Sequence, residues 1–296
     1  MNAKKLAKKL LGPQLTHKIG TRFLFKEKPE LKTLISPNSS LKGIHQGQRC
    51  FIFGNGPSLN NVDFSLFENE YSFTVNMLTK NPNFYKLKTN YHMWADENFF
   101  NLDMSKPEDR AILESMKNVN AGDNTPVVFY KDTAKDLIEK YKLKNKLNIR
   151  YYSQGCWENW NANSKISFDE PVPGFGTVVH YCICLAVYMG FKEIYLMGCD
   201  CTGIFNALEA WIHLEDSSAQ TLQYAYEVSD DDKKISQKGH LNCSVKNEFL
   251  GWVHLFEDYD KLYHYCKNNG VALFNASKPT LLQDVPRINL DSIIHK

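Results

Sequence analysis

The sequence has no stretch of 18 or more apolar residues among its 296, so no membrane-spanning segment is expected. It has no charge excess either. Lys and Arg number 35 against 33 Asp and Glu, and a net charge of +2 gives no ground for nucleic acid as the main partner. No secretory leader is evident, and the eight cysteines are expected as reduced thiols of a cytoplasmic protein. Cys182 and Cys184, and Cys199 and Cys201, form Cys-x-Cys pairs, but no second pair with zinc spacing follows; buried thiols are expected rather than a metal site. Neither Gly-x-Gly-x-x-Gly nor the Walker pattern occurs, which removes the usual dinucleotide and P-loop sites.

What is present is ordinary globular composition, 43% hydrophobic, enough for one large α/β domain or two smaller ones. The organising stretch is Arg49 to Leu59. The apolar run Cys50 to Phe53 meets Gly54-Asn55-Gly56, then Pro57-Ser58, which reads as strand, tight turn and helix start. Such a turn can offer backbone N–H groups at a helix N-terminus to a phosphate or nucleotide, with glycines admitting the ligand. A plain tight turn is the competing reading.

Residues 1–45 form a basic arm. Lys4, Lys5, Lys8 and Lys9 alternate with Leu6, Leu10 and Leu11, and Lys18, Arg22, Lys26 and Lys28 continue the bias. Residues 1–28 read either as an amphipathic helix on an anionic membrane surface, interrupted at Pro13, or as a solvated arm packed on the domain. Residues 46–296 read as one catalytic domain. Strands are expected at Cys50–Phe53, Tyr71–Asn76, Tyr91–Asp96, Pro126–Tyr130, Asn148–Tyr152, Glu193–Asp200 and Val271–Asn275. Helices are expected at Pro107–Val119, Thr133–Tyr141, Val178–Met189, capped by Gly190, and Lys246–Asn268. The alternation predicts a doubly wound, mostly parallel, Rossmann-like α/β sheet, with Asn55, Asn76 and Asp96 facing one crevice beyond the strand ends. Residues 154–173, with Trp157 and Trp160, read as an ordered loop. Residues 201–239 lack a clear pattern and read as an irregular lid.

Several residues could carry chemistry. Gly176-Thr177 opens a nearly all-apolar helix and is a second anion-binding candidate. Asp200, at the end of the strongest strand, reads as functional or as an N-cap. His240, beside Gly239 where the lid rejoins the fold, suits a general base or is a surface loop histidine. Tyr224 and Tyr226 could donate to a phosphate or pack the lid. The run Asp230-Asp231-Asp232 has polar flanks and reads as a solvated acidic segment in preference to a metal site.

In order, Phe53-Gly54-Asn55-Gly56-Pro57-Ser58-Leu59, Val75-Asn76, Gly176-Thr177, Gly190 through Asp200, and Gly239-His240 resemble bacterial lipooligosaccharide sialyltransferases. They also resemble a broader group of surface-polysaccharide and flagellin glycosyltransferase-like proteins labelled after an archaeal 6-hydroxymethylpterin diphosphokinase. The likeness spans residues 45–290, and the ending Asn275-Ala276-Ser277 with Val285 to Ile288 is closer to the broader group. It implies a glycosyltransferase A-like fold and a sugar-nucleotide donor, a CMP-linked sialic-acid-like sugar, passed with inversion to a glycan acceptor of lipopolysaccharide or capsule. It further implies no cofactor and no metal, a homo-oligomer, and a place in the cytoplasm or at the inner membrane. Asn55 and Asn76 would hold the nucleoside, making Gly54–Ser58 a nucleoside clamp with Asp96 and Asp200 nearby. Thr177, Tyr224 and Tyr226 would hold the phosphate, and His240 would be the base. Phe175 and Val178 depart from the sialyltransferases, which carry Arg and Ser there, and the basic arm lies at the opposite end of the chain. A pterin diphosphokinase and a non-catalytic nucleotide-binding module are the alternatives.

Overall fold

The computed structural model describes residues 3–120, 125–155 and 160–294, with side chains in the first helix from residue 12 onward. Its strands are β1 (Arg49–Phe53), β2 (Tyr71–Val75), β3 (Tyr91–Trp94), β4 (Val127–Lys131), β5 (Asn148–Tyr152), β6 (Glu193–Met197) and β7 (Ala272–Asn275). They form one sheet in the order 5-4-3-2-1-6-7, every pair parallel. The α-helices are α1 (Ala3–Glu27), α2 (Pro29–Ile35), α3 (Pro107–Lys117), α4 (Lys135–Lys140), α5 (Val178–Met189), α6 (Gly203–Ile212), α7 (Asp230–His240), α8 (Val245–Asn268) and α9 (Asp291–Ile294).

The sequence forms this sheet because its strands are apolar on both faces. Cys50 and Ile52 of β1 pack with α5, while Phe51 and Phe53 pack on the other side with Phe64, Phe67 and Tyr195. A parallel sheet covered on both faces calls for such continuous apolar runs. The chain winds outward from β1 to β5, then crosses back through α5 to place β6 on the other side of β1. The reversal puts a topological switch point between β1 and β6, where open α/β sheets bind ligands. Every residue of α5 except Val187 is buried, and the helix stops at Gly190, whose φ of 94° suits a residue without Cβ.

The segment read as irregular, 201–239, contains α6 and α7. Helix α7 starts where the acidic run stands, because Ser229 and Asp232 form a reciprocal capping box and three aspartates sit at the positive end of the helix dipole. Asp232 is buried and paired with Lys80, so the run is a helix start and not a solvated loop. In the N-terminal arm, α1 is broken at Gly12 (φ 69°, ψ 164°), where the following proline disfavours helical ψ and the glycine admits the positive φ. Beyond it Leu31 and Ile35 are core residues. The Asn38 side chain donates to the carbonyls of Tyr151 and Phe168 at 2.7 and 2.9 Å, tying residues 29–41 to the sheet. Trp157 and the side chains of Lys4, Lys5, Leu6, Lys8, Lys9, Leu10 and Leu11 lie outside the described residues. Trp160 is buried edge-on to Phe175, their ring centroids 5.1 Å apart.

Two histidines are fully buried in the core. His92 of β3 has Nδ1 2.8 Å from the Thr74 hydroxyl, and His180 of α5 has neither ring nitrogen partnered and stands edge-on to Tyr259 at 4.2 Å. Burial pushes both from the ordinary 6.5 down to about 3. Between those limits the unfolded chain binds protons that the folded one does not, so stability is greatest above about 6.5 and falls on acidification. Each histidine contributes a slope of about 1.4 kcal/mol per pH unit. Urea unfolding between about pH 6.5 and pH 5 should show this loss, and His180→Phe should remove about half of the histidine contribution to the slope.

Candidate functional site

The turn after β1 is fastened to the end of β6. Gly54 N donates to the Met197 carbonyl at 2.8 Å, Gly56 N to the Gly198 carbonyl at 2.9 Å, and Ser58 N to Asp200 Oδ2 at 2.8 Å. The Ser58 hydroxyl also donates to Asp200 Oδ1. A Cβ on Gly56 would stand 2.6 Å from the Gly198 carbonyl oxygen and closer still to the Asp200 carboxylate, and one on Gly54 would meet the same carbonyl. The neighbouring chain is therefore by itself enough to require both glycines. Pro57–Asn61 is a five-residue 3₁₀ turn in place of the expected α-helix. With these N–H groups already satisfied and no helix behind them, the turn is not a backbone phosphate loop.

Asp200 has the same structural role. It is buried, which pushes its carboxyl pKa upward, while the two bonds from Ser58 act in the opposite direction. Both of its oxygens face Ser58, so it holds the turn in place. What the turn offers is the side chain of Asn55. The Asn55 carbonyl accepts from Ala225 N at 2.9 Å, and its Oδ1 is buried without a partner.

A crevice of two joined lobes lies along the carboxyl edge of the sheet. The first is lined by Gly54 to Pro57, Asn76, Thr177, Asp200, Asn206 and Tyr224, with Trp252, Leu255 and Tyr259 of α8 as an apolar wall. The second lobe shares Asn76, Thr177 and Val178 with the first and adds Asp96, Glu97, Lys131, Gln154, Gly176 and Tyr181. Asn76 follows β2 in the left-handed region at φ 44°, a conformation asparagine tolerates better than most residues, and its Oδ1 too is buried and unpartnered. Two side chains thus bring unmatched acceptors to the crevice, Asn55 in the first lobe and Asn76 where the lobes meet, a costly arrangement unless a ligand donates to them.

Two helix amino termini open on the first lobe. Thr177 precedes α5 in an extended conformation and its hydroxyl makes no capping bond. Thr202 and Gly203 begin α6 and line the same lobe. Together they make the lobe favourable for negative charge. In the second lobe Asp96 accepts from Asn98 N at 2.9 Å, and burial raises its pKa while the hydrogen bonding from Asn98, and to a lesser extent His240, draws it back. Lys131 is paired with Glu97 and donates to Gln154 Oε1 at 2.9 Å. Tyr181, pushed up to about 12 chiefly by burial, accepts from Phe175 N at 3.1 Å.

Asn55, Asn76, Asp96, Gly176, Thr177, Asp200 and Tyr224 therefore meet at one crevice. Tyr226 does not. It stacks on Tyr224 with centroids 5.3 Å apart, carries Lys80 Nζ 5.1 Å over its ring, and faces a separate cavity. His240 is the last residue of α7 and not part of a loop. It stands outside the lining of both lobes, close enough for its charge to act on Asp96. Its Nδ1 lies 3.1 Å from Glu248 Oε1, which also accepts from Trp252 Nε1 at 3.0 Å. The α6 start, Glu248 and Trp252 were not singled out from the sequence. The apolar spacing of Trp252, Leu255 and Tyr259 on α8 marks one helix face, and Thr202-Gly203 before an apolar run marks a helix start. Among the described residues no cluster of His, Cys, Asp or Glu is arranged to hold a metal ion.

The family described as 6-hydroxymethylpterin diphosphokinase MptE-like matches residues 25–203. No curated protein matches the sequence. Among solved structures the chain is similar to the sialyltransferase CstII from Campylobacter jejuni, determined in complex with a substrate analogue, cytidine-5'-monophosphate. The likeness is 18% identity at a TM-score of 0.41 and covers 82% of this chain and 85% of that one.

The β1–β6 fastening is open to a direct test. Ser58→Ala leaves one oxygen of a buried carboxylate without its donor and should cost about 1–3 kcal/mol in urea unfolding. Gly56→Ala should cost at least as much, since the added Cβ meets backbone and carboxylate that have little room to yield.

Proposed function

The chain belongs to the 6-hydroxymethylpterin diphosphokinase MptE-like family, and we propose that it is a glycosyltransferase that takes a sugar from a CMP-linked, sialic-acid-like donor and passes it to a hydroxyl of a surface glycan. The observation that carries this reading is the pair of buried, unpartnered Oδ1 atoms of Asn55, in the first lobe, and Asn76, where the two lobes meet. Such acceptors match the amino group of cytosine and the hydroxyls of ribose. The α5 start, with the free Thr177 hydroxyl, suits the single phosphate of the leaving group, and the α6 start suits a second anion such as the carboxylate of an acidic sugar. The acceptor glycan would occupy the second lobe, whose lining is rich in polar groups.

In this reaction the acceptor oxygen attacks the anomeric carbon as its bond to the phosphate oxygen breaks, and CMP leaves with the electron pair. His240 takes the acceptor proton, and Glu248, bonded to Nδ1, holds the ring and balances the charge it gains. Attack from the side opposite the leaving group inverts the anomeric centre. Asn55 and Asn76 fix the nucleoside, and Tyr224 closes the first lobe beside it.

A diphosphokinase reading is kept open by the family description, and it asks for carboxylates around a diphosphate. Of Asp96 and Asp200, the latter has both oxygens engaged by Ser58, which weighs against it. Thermal-shift measurements with CMP, UDP, GDP, and ATP plus magnesium separate the two. Stabilisation by CMP is expected, reaching about 2.7 kcal/mol at roughly 100 times the dissociation constant, and stabilisation by ATP with magnesium alone would support the kinase. In a transfer assay His240→Ala should lower kcat by about 10²–10⁴-fold with little change in KM for the donor, and undiminished transfer would remove His240 from the mechanism.

A further inference from the structure

Helix α1 presents a face that the other described residues do not cover. Leu15, Ile19 and Phe23 are 45%, 38% and 62% exposed, and Lys18, Arg22 and Lys26 are exposed beside them. At 100° per residue these six side chains fall within an arc of about 140°. The opposite side of the helix is anchored. His17 and Thr21 are buried there, His17 lies 3.3 Å from Glu170, and Leu24 and Phe25 pack toward the core cluster that holds Leu31 and Ile35. The exposed ridge is thus held outward by the domain.

The charge of this region is one-sided. Residues 1–26 contain seven Lys and Arg and no Asp or Glu, while the remainder of the chain carries an acidic excess. A second copy of the helix would bring like charges together, which disfavours self-association through this face. An anionic bilayer answers both features at once. Apolar side chains enter the acyl boundary, and the flanking Lys and Arg reach the lipid phosphates with their stems along the surface. No helix among the described residues is long and apolar enough to cross a membrane, so the contact is one of lying on the surface.

We propose that the exposed face of α1 docks the protein on an anionic lipid bilayer through Leu15, Ile19 and Phe23, with Lys18, Arg22 and Lys26 supplying the charge complementarity. The proposal does not depend on the reading of the crevice. It is tested by co-sedimentation of the full chain with vesicles of phosphatidylcholine alone and of phosphatidylcholine doped with phosphatidylglycerol, at low and high salt. Binding is expected to the anionic vesicles only and to weaken with salt. The triple substitution K18E, R22E, K26E should reduce partitioning on the order of a hundredfold or more, at about fivefold per cation removed. Ile19→Ser with Phe23→Ser should reduce it too, while both variants keep the wild-type circular dichroism spectrum. No binding to anionic vesicles, equal binding to neutral ones, or indifference to both variants would overturn the proposal. So would a concentration-dependent dimer that Ile19→Ser with Phe23→Ser abolishes, which would make a second copy the occupant.

Discussion

The junction of β1 with the end of β6 is the constraint on which the site depends. The backbone of Gly54 and Gly56 lies directly on the Met197–Gly198 carbonyls, and Asp200 grips Ser58 through both oxygens. This closeness fixes the course of the chain past Asn55 and so aims one carboxamide into the crevice. The junction also lies at the switch point, since β1 and β6 are neighbours whose carboxyl ends border the crevice. Crevice, turn and paired glycines are three consequences of one strand pairing.

That fastening divides labour between backbone and side chain. A phosphate loop must keep its N–H groups free, and here they are satisfied by carbonyls and a carboxylate before any ligand arrives. The groups left open at the crevice are, among the described residues, the Oδ1 atoms of Asn55 and Asn76, which have no partner, and the Thr177 hydroxyl, which makes no capping bond at the start of a buried helix. Helix α5 is packed on every side, so its amino terminus is held rigidly in the crevice and its dipole is not screened by mobile solvent along its length. Helix α6, whose start lines the crevice, packs against α7, and α7 is fixed by the Asp232–Lys80 pair and by Lys238, which lies 3.0 Å from the buried Asp109.

The sheet was legible in the sequence because each strand is a short apolar run ended by a turn residue, and β5 and α5 fall at the expected bounds. The presence of Asn55, Asn76 and Asp96 at one crevice followed from the rule that ligands gather at strand carboxyl ends. The reason for Gly54 and Gly56 was not legible. A glycine that admits a ligand and a glycine that admits a neighbouring strand look alike, and only the packing of Gly198 tells them apart. Residues 201–239 misled for another reason: α6 and α7 are short, and the start of α7 is written in aspartates that serve as cap and ion-pair partner. Tyr226 could not be separated from Tyr224 by pattern, since the two differ in which cavity their rings face.

The central claim is that side chains, and not the backbone of the turn, read the nucleotide. Calorimetric titration of CMP into the wild type, Asn55→Ala and Asn76→Ala tests it most directly, with urea unfolding of each variant as the control. Affinity should fall about tenfold for each substitution, in line with a lost ligand hydrogen bond, while the unfolding midpoint stays near that of the wild type. Unchanged affinity in both variants, or loss only in proportion to lost stability, would contradict it.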